Sequence, residues 1–171
     1  KKTIMARLEI FSGNWKMYKT SKEAIDLVNG LLAGISGIGN REVVVFPPSP
    51  WAKAVADLCR GTKISVGMQN MHFEQEGAFT GEVSPLMVRD AGCRYVLIGH
   101  SERRQYYAET DDAVNRKIKA ALAANLAPIF CLGETLSQRE TGGTFDVVET
   151  QLLRGLNEIP AKEAPKVIVA Y

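Results

Sequence analysis

Polar residues that can do chemistry follow directly after four short apolar runs of this sequence. A lysine supplies positive charge, an imidazole can donate or accept a proton, and carboxylates can act as bases. Such a set suits an anionic, oxygen-rich small molecule. The residues are Asn14 and Lys16, then Gln69 and Asn70, then His100, Ser101 and Glu102, and finally Glu134.

Each of these residue types also has a structural interpretation that the sequence leaves open. A lysine in a loop can simply be solvated, and a histidine can be satisfied by ordinary hydrogen bonds. A serine after a strand can cap a helix, and a glutamate beside arginines can pair with one of them. These alternatives apply to Lys16, His100, Ser101 and Glu102. His72, in a long polar loop, is interpreted as non-catalytic.

The elements that must position these side chains are short β-branched and apolar runs. They are mostly continuously apolar rather than alternating, which is typical of strands covered on both faces of a parallel sheet. Reactive groups in such folds lie at the carboxyl ends of the strands, so we expect the polar residues to converge on one rim. The predicted strands are residues 8–11, 42–46, 63–66, 95–98, 127–131 and 166–170.

Amphipathic helices are predicted between the strands. Thr20 and Glu23 form a capping box ahead of an apolar face that ends near Gly34. A last helix over residues 145–155 is predicted to face inward through Phe145, Val148 and Leu152. Further predicted N-caps are Ser49, Ser84 and Thr110, with stops at Gly61, Gly92 and Asn125. The first helix is predicted to bury Ala24, Leu27, Val28, Leu31 and Leu32.

Six strands joined by five helices indicate an α/β protein, with either an open doubly wound sheet or a (β/α)₈ barrel. No Gly-x-Gly-x-x-Gly follows the first strand, which weighs against a dinucleotide-binding sheet. A complete barrel takes about 250 residues. The 171 residues are therefore predicted to form a single domain, residues 1–171, holding about six of the eight βα units.

Composition excludes several other classes of function. The formal net charge is +2, which gives no basis for binding nucleic acid or a membrane surface through bulk charge. The sequence has an odd number of cysteines, Cys59, Cys93 and Cys131, and no two of them have CxxC spacing. Only two histidines are available as further metal ligands. We therefore expect buried, reduced thiols in a reducing compartment and no structural metal site. No apolar run approaches the roughly 20 residues of a membrane helix.

Five motifs, in this order along the chain, resemble those of triosephosphate isomerase. They are Ser-Gly-Asn-Trp-Lys-Met at 12–17, Gln-Asn at 69–70, Gly-Ala-Phe-Thr-Gly-Glu at 77–82, Val-Leu-Ile-Gly-His-Ser-Glu-Arg-Arg at 96–104 and Ile-Phe-Cys-Leu-Gly-Glu at 129–134. The resemblance covers the whole chain. It implies a (β/α)₈ barrel and a cytoplasmic enzyme of glycolysis and gluconeogenesis without a cofactor. Its reaction would interconvert dihydroxyacetone phosphate and D-glyceraldehyde 3-phosphate by proton transfer through an enediolate.

The resemblance also implies a role for individual residues. Asn14 and Lys16 would bind the phosphorylated three-carbon substrate, and Lys16 would also be catalytic. His100 would be the neutral catalytic electrophile; triosephosphate isomerase is itself the standard example of a histidine used in this way. The supporting residues would be Ser101, Glu102, Cys131, Glu134 and Tyr171. The loop 71–82 resembles the arm of a homodimer, in which Phe79, Thr80, Gly81 and Glu82 would contact the partner subunit.

One departure from the family pattern concerns the end of the sequence. In the family, the residue after Tyr171 is the glutamate that removes the substrate proton, followed by the lid and the phosphate grip. The sequence lacks that position, so the chain is expected to be inactive alone. One alternative is a non-catalytic folding or assembly fragment of the same barrel. Another is a Schiff-base aldolase, but that enzyme needs a buried lysine on a strand, whereas Lys16 follows its strand.

Overall fold

The structure, a computed structural model, describes residues 8–35 and 37–171. Its contacts divide the chain into two compact units. The first comprises Lys1–Gln69 with Ala91–Cys93, and the second comprises Asn70–Asp90 with Arg94–Tyr171. In both units helices connect successive strands, as the sequence predicts. The prediction of a single domain stays open.

The first unit contains three parallel strands and two helices. Strand β1 (Glu9–Asn14) pairs with β2 (Arg41–Phe46) along its whole length, and β2 pairs with β3 (Ile64–Met68). Helices α1 (Ser21–Gly34) and α2 (Ser49–Cys59) connect them. Apolar side chains from both helices and from β2 form the core, chiefly Ala24, Val28, Val44, Phe46, Ala52 and Val55.

The second unit contains three further parallel strands. Strand β4 (Tyr95–Ile98) pairs with β5 (Ala127–Cys131), which pairs with β6 (Ile168–Ala170). Its core comprises Val88, Val96, Ile98, Val114, Ile118 and Phe130, all fully buried. The helices are α3 (Pro85–Asp90), α4 (Ser101–Tyr106), α5 (Asp111–Ala123), α6 (Leu136–Glu140) and α7 (Thr144–Gly155).

Local start and stop signals act largely as predicted. The Glu23 carboxylate accepts hydrogen bonds from the Thr20 N–H and hydroxyl, at 2.7 and 2.8 Å, which completes the capping box. Thr110 Oγ1 accepts from the Ala113 N–H at 3.2 Å. Asn125 closes α5 with a φ of 55°, the left-handed conformation that asparagine tolerates better than most residues.

Four predictions about the helices are wrong. Two helices rather than one follow both β4 and β5. After β4, Thr110 caps a second helix, and after β5, α6 ends at Glu140 before α7 begins at Thr144. Ser49 is the first residue of α2 and Pro48 its cap, a shift of one position. Leu27 lies on the exposed side of α1. Phe145 is 85% exposed, whereas Val148 and Leu152, the other two residues predicted to face inward, are half-buried.

Gly155→Ala is expected to destabilise the protein by about 1–3 kcal/mol, because a methyl group there overpacks the core. A Cβ on Gly155 would lie 2.4 Å from Cζ of Phe130, whose ring is fully buried and cannot turn away. Thermal unfolding should show a decrease in Tm of about 2–4 °C for each kcal/mol.

The matched control is Gly30→Ala in α1, where nothing lies within 4 Å of the added methyl group. This change should stabilise the protein by about 0.5–1 kcal/mol, because alanine is the better helix former. Equal effects of the same sign at the two positions would contradict the packing argument.

Candidate active site

A pocket of about 500 Å³ lies at the carboxyl ends of β4, β5 and β6 in the second unit. The residues directly after these strands form most of its wall, because parallel strands bring their carboxyl ends to one edge. The lining residues are Gly99, His100, Ser101, Arg104, Cys131, Leu132, Gly133, Glu134, Arg139, Ala170 and Tyr171.

His100 sits in this pocket as the N-cap of α4. Its Nδ1 accepts a hydrogen bond from the Glu102 backbone N–H at 3.3 Å. The Glu102 carboxylate is 3.5 Å from the same nitrogen, longer than a normal hydrogen bond. The Glu102 backbone N–H can donate to Nδ1 only if that nitrogen has a free lone pair. A neutral ring therefore carries its proton on Nε2. This geometry gives His100 an N–H donor for a bound oxygen.

Glu134 is held by three hydrogen-bond donors at the mouth of the pocket. Its Oε1 accepts from Arg139 Nε at 2.7 Å, from the Tyr171 hydroxyl at 3.1 Å and from Thr144 Oγ1 at 3.2 Å. Arg139 Nη2 also donates to the Tyr171 oxygen at 2.9 Å. The Glu134 side chain is 1% exposed. The Glu134 backbone N–H, the Arg139 guanidinium and the Tyr171 hydroxyl lower the pKa of this carboxyl group to about 2.

We expect the ionised Glu134 to stabilise the cluster at neutral pH and to lose that contribution on acidification. Because its folded pKa of about 2 lies below the ordinary 4.5, the contribution is complete above pH 4.5 and declines toward pH 2. The carboxyl ¹³C shift of Glu134, followed by NMR, should titrate near pH 2 in the wild type. Arg139→Gln should raise that pKa toward its ordinary value. An unchanged titration in this variant would contradict the assigned cause.

Cys131 lines the pocket but is not a nucleophile at neutral pH. Burial raises the pKa of its thiol to about 11, and the nearby Arg104 charge offsets this only in part. The reactive form of a cysteine is its thiolate, which is scarce under such conditions. Burial likewise raises the pKa values of Cys59 and Cys93 to about 11. All three thiols are free.

A buried charged cluster, which sequence reasoning missed, lies behind the turn that carries His100. Glu109 Oε2 accepts from the Gly99 N–H at 3.0 Å, and the other carboxylate oxygen binds Lys117 Nζ. Lys117 also donates to Asn70 Oδ1 at 2.7 Å, and Arg103 Nε lies 3.4 Å from Glu109. One signal in the sequence points to it. Lys117 falls on the apolar face of α5, between Val114 and Ala121 in the helical repeat.

The first unit brings Asn14 and Lys16 together at the carboxyl end of β1. Asn14 Oδ1 accepts from the Lys16 N–H at 3.0 Å, and Lys16 has a φ of 52°. Gln69 Nε2 donates to the carbonyl groups of Lys16 and Phe46, at 2.9 and 2.8 Å. Gln69 therefore fixes the loop after β1 in a conformation that lysine rarely adopts.

The loop 71–82 is ordered around a small aromatic stack. The rings of His72 and Phe79 stack with centroids 4.2 Å apart, and the backbone N–H of His72 donates to the Val83 carbonyl at 2.8 Å. Gly81 has a φ of 90°, a conformation that favours glycine. The tip residues Phe79, Thr80, Gly81 and Glu82 are exposed. Their contact with a partner subunit stays a prediction.

The structure thus groups the predicted site residues in two sets. His100, Ser101, Cys131, Glu134 and Tyr171 line one pocket of the second unit, with Glu102 bonded to His100 through its backbone. Asn14 and Lys16 form the set of the first unit. That the two sets meet in one cleft stays a prediction.

Known proteins resemble the chain over nearly its whole length. A family model described as triosephosphate isomerase matches residues 9–171. The triosephosphate isomerase of Carboxydothermus hydrogenoformans is 50% identical over 165 residues, which are 96% of this chain and 66% of the relative. That of Chloroflexus aurantiacus is 50% identical over the same shares. A crystal structure of triosephosphate isomerase from Bartonella henselae matches with a TM-score of 0.88 at 36% identity, covering 95% of this chain and 67% of that one.

Parallel βα units with polar groups after their strands define a protein of the (β/α)₈ barrel class, and the chain holds about six of the eight units. The predicted fold class is confirmed, and the doubly wound alternative is wrong. The chain belongs to the triosephosphate isomerase family. It spans about two thirds of the length of the curated relatives it matches, 66% for the first of them.

No helix among the described residues is both long and apolar enough to cross a membrane.

Proposed function

We propose that the protein carrying these residues interconverts dihydroxyacetone phosphate and D-glyceraldehyde 3-phosphate. The observation that carries the proposal is the state of His100, whose Nδ1 is engaged by the Glu102 N–H while its ring faces the pocket. Combined with membership of the isomerase family, this geometry supports a neutral histidine acting on a carbonyl oxygen.

The reaction moves a proton between two adjacent carbons through an enediolate. Removing the proton from carbon places negative charge on the neighbouring oxygen, so a donor aimed at that oxygen lowers the barrier. His100 Nε2–H is proposed as this donor. His100 would also move a proton between the two oxygens: Nε2–H is given to one enediolate oxygen, which leaves an imidazolate, and Nε2 then takes the proton of the other hydroxyl, so that the ring ends neutral.

Lys16 is proposed to supply positive charge to the phosphate and to the enediolate, with Asn14 binding beside it. The Asn14 side chain and Gln69 fix the backbone around Lys16, which supports a positioned rather than a freely moving cation. Lys16 is exposed after β1 rather than buried on a strand, which argues against a Schiff-base aldolase. The base that removes the carbon-bound proton would be the family's glutamate after the position of Tyr171.

We further propose a cytoplasmic homodimer whose subunits contact through the loop 71–82. The exposed Phe79 at the tip of the ordered loop supports this, because a large apolar side chain gains free energy when a partner covers it. Sedimentation of a protein with the full length of the relatives, termed the natural-length protein, gives the oligomeric state, and Phe79→Ser should shift it toward monomer. A dimer of unchanged affinity would argue against this contact.

The activity is tested with a coupled isomerase assay on two preparations, the natural-length protein and a polypeptide restricted to these 171 residues. The first should turn over glyceraldehyde 3-phosphate. The second should be slower by at least about 10²-fold, because a general base typically contributes about 10²–10⁴-fold. Inactivity of the natural-length protein would favour a non-catalytic assembly role. Turnover of the restricted polypeptide within about tenfold would require a base among Glu102 and Glu134.

A further inference from the structure

The two peptide groups that flank Gly99 are each fixed by a charged side chain. On one side, the Gly99 N–H donates to Glu109 Oε2 at 3.0 Å. On the other, the Gly99 carbonyl accepts from Arg104 Nε at 2.9 Å. The second bond acts on the peptide plane that contains the backbone nitrogen of His100. The orientation of that peptide plane sets the direction in which the His100 side chain leaves the backbone.

Gly99 is the residue at which this part of the chain is most easily reoriented. Its φ is +76°, in the region that glycine enters without strain, and glycine also tolerates other conformations at little cost. A side chain is excluded here, since a Cβ would lie 2.9 Å from the Cys131 carbonyl and 3.0 Å from Arg104 Nη2. The turn therefore depends on its hydrogen bonds, rather than on backbone sterics, for a single conformation.

Arg104 is itself held in place and is not an ordinary surface cation. Its Nη1 donates to Asp111 Oδ1 at 2.6 Å, and both side chains are less than a fifth exposed, at 17% and 16%. Its Nη2 is buried without a hydrogen-bond partner among the described residues.

We propose that Arg104 is a positioning residue for His100, acting through the Gly99 carbonyl. Its planar guanidinium binds the carbonyl and Asp111 with two different nitrogens, which fixes the direction of the Nε–H bond. This proposal rests on the isomerase function proposed for His100. It extends that function by naming the group that aims the imidazole. Misplacing a reacting group by about 1 Å can lower a rate by about 10²-fold, so such a group matters to turnover.

The test is Arg104→Lys in the natural-length protein, which keeps the positive charge and removes the planar fork. The expected result is a fall in kcat of about 10–100-fold with KM changed by less than about threefold, because a misplaced donor weakens the transition state more than substrate binding. The ¹⁵N NMR signals of the His100 ring should shift or broaden, a readout that a merely stabilising arginine would not change.

The matched control is Arg89→Lys, which removes another arginine–carbonyl bond, 2.9 Å long, from Arg89 Nη1 to Ala124. Its kcat should stay within about twofold of wild type, as expected for a contact away from the reacting groups. If Arg104→Lys fails to fold, Asp111→Asn loosens Arg104 without removing it. That variant should lower kcat by about 3–10-fold, in keeping with a smaller displacement.

Three results separate this proposal from the isomerase function on which it rests. Absence of isomerase turnover in the wild type overturns the proposed function, and the NMR signals of His100 still decide whether Arg104 orients the ring. Identical His100 signals in the wild type and in folded Arg104→Lys overturn the positioning role. An unchanged kcat in that folded variant overturns it as well.

Discussion

His100→Ala is expected to lower kcat of the natural-length protein by about 10³-fold, within the range found when a positioned proton donor or oxyanion donor is removed. That factor corresponds to about 4 kcal/mol of transition-state stabilisation. The substitution removes the one imidazole that faces the pocket at the end of β4. KM should change far less, since the lost donor acts on charge that develops during the reaction.

The stability of the same variant should fall by only about 0.5–2 kcal/mol, the usual cost of losing an N-cap side chain. The His100 ring contributes one hydrogen bond to the described structure, from the Glu102 N–H to Nδ1. His100→Gln is the matched variant, because its amide keeps a neutral N–H donor but cannot shuttle protons. It should retain more activity than His100→Ala. Loss of kcat in proportion to loss of folded protein would point to a structural histidine.

Lys117→Met is expected to give the largest loss of stability, about 3 kcal/mol or more, because it leaves a buried carboxylate without its main partner. The side chains of Lys117 and Glu109 are 7% and 3% exposed. Among the described residues, Glu109 would keep the Gly99 N–H and a 3.4 Å contact with Arg103. Urea unfolding, read as a change in midpoint at constant slope, measures the effect.

Lys119→Met provides the control on the same helix. Lys119 pairs with Glu158 in solvent, where the two side chains are 38% and 77% exposed, and such pairs contribute at most about 1 kcal/mol. Adding Glu109→Gln to Lys117→Met should restore part of the stability, because it removes the unpaired charge. Equal effects of the substitutions at 117 and 119 would show that the buried pair is not what stabilises the second unit.

Much of the fold was predictable because its signals act over a few residues. The capping box of Thr20 and Glu23 forms within a single turn, and the six apolar runs coincide closely with the strands. Where the boundaries moved, the cause is again local. The run at 166–170 begins late, because a 3₁₀ turn over Ala164–Lys166 precedes β6. The turn with His100 after β4 also follows from its position behind an apolar run.

What the apolar pattern did not predict is which polar residues are buried. Gln151 takes an inward position on α7 because its amide bonds both the N–H and the carbonyl of Gly133, at 2.8 and 3.2 Å. A glutamine offers no hydrophobic signal, so Gln151 was not among the residues predicted to face inward. Val148 and Leu152 are half-buried as predicted, whereas Phe145 is exposed. The periodicity of apolar residues reports hydrophobicity alone. It does not show which polar side chains form hydrogen bonds inside the protein.

The sequence by itself therefore determined the order of the strands, the family and the placement of polar residues after the strands. Tertiary structure alone decided that Glu109 and Lys117 are buried and that Arg104 holds the Gly99 carbonyl. The physical reason is that a charge is buried only where its partners converge, and the partners lie on separate elements: Gly99 follows β4, Glu109 lies between α4 and α5, and Lys117 is on α5. Lys117 donates a hydrogen bond to Asn70, which is 47 residues away in the sequence. No local sequence pattern predicts a contact at that separation, so this burial could be seen only in the structure.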